Sequence, residues 1–277
     1  MIASQNLRAA LLSLAFLIVA LGLWELSISS QGGSSGELTE YEMLMGISGS
    51  GTGVPPPSVI FSHAVEELSR PFYDGGPNDK GIGLQLMYSI ARVMAGFSLA
   101  VLVAVPLGFV IGMSPVLNKA MNPYIQVLKP ISPLAWMPLA LFVIKDSGTS
   151  AIFVIFICSI WPMLINTAFG VASVKRDWLN VARTLEMSKL RTAFTVILPA
   201  AAPTILTGMR ISIGISWLVI VAAEMLVGGT GIGYYVWNEW NNLDLASVIF
   251  AIIMIGVIGM LLDGMLAQAS RLVRYQD

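Results

Sequence analysis

Apolar runs long enough to cross a bilayer recur along this chain, at about 7–28, 84–113, 124–144, 149–172, 203–227 and 245–269. A membrane-spanning helix needs about 20 mostly apolar residues. Each run meets that length, so six spans are expected. Only 11% of residues are charged, whereas about 25% is usual for a soluble domain. With 56% hydrophobic residues, a water-soluble fold would have to hide nearly everything the chain offers. Lipid removes that demand. The expected fold class is an all-α polytopic membrane protein with six transmembrane helices. Arg8 precedes the first apolar run, which is long for a signal peptide and is followed by no small-x-small cleavage site. Residues 1–28 are therefore read as an uncleaved first span.

Basic residues set the sides of a membrane helix bundle. With the N-terminus in the cytoplasm, that side holds Arg8, Lys119, Lys175, Arg176, Arg183, Lys189, Arg191, Arg271 and Arg274. The outer side holds only Arg70, Lys80 and Lys145. Both termini are thus expected in the cytoplasm. Acidic residues gather outside, among them Glu37, Glu66, Glu67, Asp79, Glu239 and Asp244. Residues 29–83 read as an outer segment. Its Gly- and Ser-rich first part reads as a flexible loop, and Pro55-Pro56-Pro57-Ser58 opens a short surface helix. Residues 84–277 form a five-helix core that includes a cytoplasmic loop, 173–200.

The spans are irregular. Pro123, Pro130, Pro133 and Pro138 crowd the third, and Trp161-Pro162 interrupts the fourth. Proline frees backbone carbonyls, which a membrane tolerates only against protein or a wet cavity. Gly108-x-x-x-Gly112 permits close helix contact. A simple anchor needs none of this; a bundle around a pathway does. The net charge of −1 gives nucleic-acid binding no support. The lone Cys158 excludes an intrachain disulfide, and His63 has no ligand partner near it in sequence, so no metal site is read. The chain lacks Gly-x-x-x-x-Gly-Lys-Ser/Thr, His-Glu-x-x-His and Gly-x-Ser-x-Gly. It is read as a non-enzyme that holds no cofactor of its own.

The loop between the fourth and fifth spans is amphipathic and basic. Val181, Leu185 and Ser188 share one helix face, Arg183 and Glu186 the other. Ser188 reads as the N-cap of a second short helix ending near Pro199. This loop resembles the signature loop of permease subunits of ATP-binding-cassette importers. That pattern is Glu-Ala-Ala, three residues, Gly, nine residues, Ile, one residue, Leu-Pro. Asn180-Val181-Ala182 fills the first triplet, Glu186 stands where Gly is usual, and Val196 to Pro199 fall at the right spacing. Ser89-x-x-Arg92-Val93-x-x-Gly96-Phe97 resembles the family's second span. The stretch Lys129 to Leu139 resembles the subgroup for nitrate, bicarbonate, cyanate, taurine and alkanesulfonates. Thr207-Gly208-Met209-Arg210, Trp217 to Leu226 and Trp237 to Asn242 look most like nitrate permeases, with bicarbonate second.

The resemblance implies a type I importer permease fold in a bacterial inner membrane. It implies a homodimer of this chain and two ATPase subunits that bind ATP and Mg and grip the loop through Asn180, Val181, Ala182, Arg183, Leu185, Glu186 and Ser188. A small position at Ala182 would admit close approach of such a partner. It also implies a solute-binding protein outside. Ionisable residues at membrane depth are functional candidates. Arg92, Lys129 and Arg210 offer positive potential to a small anion, and Ser132, Asn166, Ser212 and Ser216 offer weak hydrogen bonds. Taken singly, each also reads as an anchor, as do Glu224 and Asp263. A secondary transporter or channel acting alone is the main rival; it would require midplane coupling-ion carboxylates and inverted repeats, which the sequence does not show. A structural or sensor membrane protein would not need broken helices.

Overall fold

The computed structural model describes residues 2–31, 54–76 and 78–273. The Gly- and Ser-rich loop expected from Gly32 to Gly53, and Arg274, lie outside the described residues. The described residues form α1 (Ile2–Gln31), α2 (Pro57–Ser69), α3 (Ile82–Met113), α4 (Pro115–Leu128), α5 (Pro133–Ile144), α6 (Ser147–Ala172), α7 (Arg176–Thr184), α8 (Lys189–Thr192), a π-helical turn (Ala193–Ile197), α9 (Leu198–Val227), α10 (Ile232–Asn241) and α11 (Leu245–Val273). Among the described residues there is no strand, only one isolated bridge between Asp74 and Lys80.

Five stretches are long and apolar enough to cross a membrane: Leu7–Ile28, Ile82–Met113, Ser147–Ala172, Lys189–Val227 and Leu245–Ser270. A sixth crossing would be the pair α4 and α5, which meet at 90°. The irregular third span expected over 124–144 is two helices, Pro115–Leu128 and Pro133–Ile144, with a sharp break at 129–132. Pro130 and Pro133 explain it. Neither supplies an N–H, and Pro133 drives the residue before it out of the α region, whereas Lys129 before Pro130 keeps α-region angles. Ser132 accordingly sits at φ −60°, ψ 136°.

The fifth span is also longer than the expected 203–227. The short helix opened by Ser188 does not end near Pro199; it runs through the π turn into α9. Pro199 falls in the first turn of α9, directly after the π turn, and the helical path runs through it. It therefore continues the path that the sequence reading stopped there.

The core is a three-helix packing of α3, α6 and α9, with α11 against α9 and α5 against α6. Its closest seam is the α3–α6 crossing. A Cβ added at Gly108 would lie 2.7 Å from Thr167 Cβ, and one at Gly112 would lie 2.5 Å from Ala168 O. The Gly108-x-x-x-Gly112 expectation is met: backbone approaches backbone there. Buried Val93, Ala100, Ala104, Val154, Ile155, Met163, Val219 and Ile220 fill the middle. By contrast, α1 exposes Leu11, Leu12, Phe16 and Ile18 and joins the rest through α2, where Ser58 N and Oγ donate to Glu25. Such an apolar, uncovered helix fits lipid as its solvent.

Candidate functional site

The loop 173–200 is built from α7, α8 and the π turn. Asp177 in the first turn and Arg183 in the last turn of α7 each complement the helix dipole. The helix ends in a Schellman motif: Met187 N donates to Ala182 O and Glu186 N to Arg183 O, both at 3.0 Å. Glu186 occupies the left-handed position of that motif, at φ 50°. Ser188 Oγ then accepts from Arg191 N at 3.3 Å, the capping bond expected of it.

The helix is seated with one face on its own chain. Ala182 is 2% exposed. The expectation that Ala182 lies open to a docked partner is corrected: its small side chain sets how closely α7 rests on the permease itself. Val181 (59% exposed) and Leu185 (68%) instead form the uncovered apolar pair. Asn180, Arg183, Glu186 and Ser188 are exposed beside them.

The membrane-depth charges form two ion pairs of opposite character. Arg92 Nη1 donates to Glu224 Oε1 at 2.7 Å and to Thr230 O at 2.5 Å. The Glu224 carboxylate, 2% exposed, also accepts from Ser89 Oγ and from Gly233 N at 3.1 Å. Gln85 Oε1 accepts from Gly231 N, and Ser89 Oγ from Ile232 N. A Cβ at Gly231 would fall 2.2 Å from the Glu224 carboxylate, so only glycine admits this approach. The node closes the loop 228–233 onto α3, and both oxygens of its carboxylate are engaged. The second pair is open. Arg210 Nε and Nη2 donate to Asp263 Oδ1 and Oδ2, each at 2.5 Å, with side chains 48% and 44% exposed.

Among the other pathway candidates, Ser212 Oγ donates to Ser159 O at 2.7 Å, and Ser216 Oγ lies 2.6 Å from Ser159 Oγ. These serines are buried and stitch α9 to α6. Asn166 Nδ2 donates to Pro162 O on its own helix. Its Cβ backs onto Gly208 of α9. Lys129 and Ser132 are exposed at the break between α4 and α5, and Lys129 has no ion pair among the described residues. No hydrogen bond or ion pair joins Arg92, Lys129 and Arg210 to a common group. Sequence reasoning noticed Glu224 and Asp263 but not their partners. The signal was available: each carboxylate lies near the same membrane face as the arginine it meets.

A cavity of about 550 Å³ is lined by Glu66, Glu67, Asp79, Glu239 and Asp244, which outnumber the basic Arg70 and Lys80. Ser247 Oγ donates to Asp244 Oδ2 and lies 2.8 Å from His63 Nε2. Burial raises the Glu67 carboxyl above its ordinary value, assisted by Glu239, Glu66 and Asp244 and opposed by His63. A cavity with this lining repels anions.

Residues 104–275 match the family model for the binding-protein-dependent transport system inner membrane component. The chain belongs to that family. The curated relatives of this family member include a nitrate import permease protein NrtB of Synechocystis sp., 46% identical over 82% of each chain. A second NrtB, from Synechococcus elongatus, is 41% identical over 85% of this chain and 86% of the relative. A bicarbonate transport system permease protein CmpB of Synechocystis sp. is 41% identical over 79% of this chain and 80% of the relative. Among solved structures, the inward-facing MetNI methionine ABC transporter aligns with TM-score 0.61 at 12% identity, over 68% of this chain and 94% of that one. The fold is that of an ABC importer permease, and the family's members are transport components of a membrane.

Proposed function

We propose that this chain is the permease subunit of an ATP-driven importer for a small anion, with nitrate as the solute and bicarbonate as the alternative. The observation that carries it is the identity of 41–46% to nitrate import permeases over most of the chain. Bicarbonate permeases follow at 40–41%, and both ions are small planar oxyanions. Two ATPase subunits would grip the exposed Val181–Leu185 face of α7, joined by Asn180, Arg183, Glu186 and Ser188. The loop suits that work because a continuous helical path joins its second half to a core span. ATP binding would favour one of two conformations of the bundle, and hydrolysis would restore the other. A second copy of this chain would complete the pathway.

The anion would pass Arg210 and Lys129, with Ser132 and Asn166 as polar neighbours. Arg92, Ser212 and Ser216 would hold the pathway wall, since their polar atoms are already engaged within the chain. The acidic outer cavity gives delivery by a solute-binding protein a physical purpose, because free anions are repelled from that mouth. The bias of basic residues supports a topology with both termini on the cytoplasmic side of a bacterial inner membrane. The test is ATP hydrolysis by the reconstituted complex in the presence of the solute-binding protein. Stimulation by nitrate above bicarbonate, with none from alkanesulfonates, is expected. Stimulation by an alkanesulfonate alone would contradict the solute assignment.

A further inference from the structure

The two ion pairs differ in a way that bears on how an anion moves. The Arg92–Glu224 node is closed, and every oxygen of its carboxylate is engaged from within the chain. The Arg210–Asp263 pair is a parallel two-bond fork between α9 and α11, with nearly half of each side chain uncovered. Arg210 lies within the Lys189–Val227 stretch and Asp263 toward the end of Leu245–Ser270. An uncovered ion pair at membrane depth belongs against a wet cavity or a protein partner, not against acyl chains. The surroundings agree. Thr207 and Gly214, three residues before and four after Arg210, share its exposed face of α9. A Cβ built at Gly214, or at Gly264 beside Asp263, would meet nothing within 4 Å, so no side chain of this chain covers that flank of the fork. The fork is also not needed to hold the two helices together, because Trp217 Nε1 donates to Ile255 O at 2.9 Å across the same contact.

We propose that the Arg210–Asp263 fork is an exchange station on the anion pathway. An incoming planar oxyanion displaces the Asp263 carboxylate from the Arg210 guanidinium, and Asp263 displaces the anion in turn. This rests on reading the chain as an anion permease. The chemistry is one of shape: carboxylate, nitrate and bicarbonate each present two oxygens in one plane to the parallel N–H groups of a guanidinium. A spherical halide offers one acceptor centre to both N–H groups and so lacks the matched pair of near-linear bonds. Exchange keeps the guanidinium paired at every moment, so binding stays weak and the anion is released rather than trapped. Asp263 is thus a positioning and specificity-determining residue: it holds Arg210 in the forked geometry and competes the solute off.

The experiment uses the purified permease–ATPase complex without nucleotide, titrated with ¹⁵N-nitrate and read by broadening of its resonance. Bicarbonate and chloride serve as competitors. Wild type should broaden the signal, with bicarbonate competing about as well as nitrate and chloride far less. Asp263→Asn removes the charged competitor, so nitrate should bind about tenfold tighter, a shift of ~1.4 kcal/mol. Arg210→Lys keeps the charge and loses the fork, so binding should weaken about tenfold and the preference over chloride should shrink. A purely structural pair would change assembly without changing that preference. Unchanged nitrate binding and preference in both variants would overturn the proposal. If Asp263→Asn does not assemble, Arg210→Lys decides by the preference alone; if neither assembles, the pair is a brace and the proposal falls. A wild-type complex that imports no anion while these shifts hold would overturn the anion-permease reading and leave the exchange standing.

Discussion

Glu186 shows how one position joins sequence pattern to backbone physics. The family's signature loop has Gly there, and the structure gives the reason: the residue is the left-handed member of a Schellman motif, at φ 50°. A non-glycine side chain in that region costs roughly 1 kcal/mol. Glu186→Gly should therefore stabilise the end of α7 by about 1 kcal/mol, seen as slower hydrogen exchange at the Met187 amide; faster exchange would refute the strain account. Ala182 teaches the opposite lesson. Spacing in the sequence placed a small residue on α7 but could not say whether it faced a partner or its own chain. Burial decides for its own chain, so Ala182→Glu should destabilise the permease itself. Glu67 lends itself to a pH test. Burial raises its folded-state carboxyl above the unfolded value. Below the ordinary glutamate value both states are protonated and nothing is lost. As pH rises from there through the raised value, the folded state loses stability relative to the unfolded one. Glu67→Gln should remove that loss, giving a higher midpoint of thermal unfolding at neutral pH and no gain at acid pH. An equal gain at both would assign the effect to packing.

The helices were legible in different degrees. Long apolar runs mark spans regardless of their neighbours, so α3, α6 and α11 stand close to where periodicity and length put them. The break between α4 and α5 was signalled by Pro130 and Pro133, but only the structure shows a 90° turn there. Helix α10 escaped because Ile232–Asn241 is short and mixes Trp and Tyr with Asn and Glu. It is held in place from far away in sequence, by Ser89 and Gln85 of α3. The same distance in sequence hid both ion pairs. For α7, the uncovered Val181–Leu185 face makes a direct forecast. Leu185→Asp would desolvate an unpaired carboxylate on docking, which costs of order 2–5 kcal/mol. Co-purification of the ATPase should fall by roughly 30-fold or more, while the amount of permease in the membrane stays near wild type. Undiminished co-purification would remove α7 as the docking element.

The assembled picture is a bundle with an acidic cavity and a basic loop. The proposed side assignment rests on that asymmetry and is open to a labelling test. A cysteine at Ser69 should react with an impermeant thiol reagent added outside, and one at Ser188 only after the cell is opened; the reverse pattern would invert the topology. Neutralising the exposed Lys129 by alanine should lower anion uptake several-fold while ATPase association is kept, and unchanged uptake would reduce Lys129 to an anchor. Two ion pairs mark the bundle, one closed, Arg92–Glu224, which fixes the loop 228–233, and one open, Arg210–Asp263. The composition could not reveal that contrast, because it depends on which helices meet. The central claim, a permease that moves a small anion only when ATP is spent, is tested most directly by labelled nitrate uptake into vesicles. The vesicles carry the permease and its ATPase subunits, with loaded solute-binding protein supplied on the outer face. Uptake should be concentrative with ATP and absent with a non-hydrolysable analogue, and equal uptake with and without ATP would contradict it.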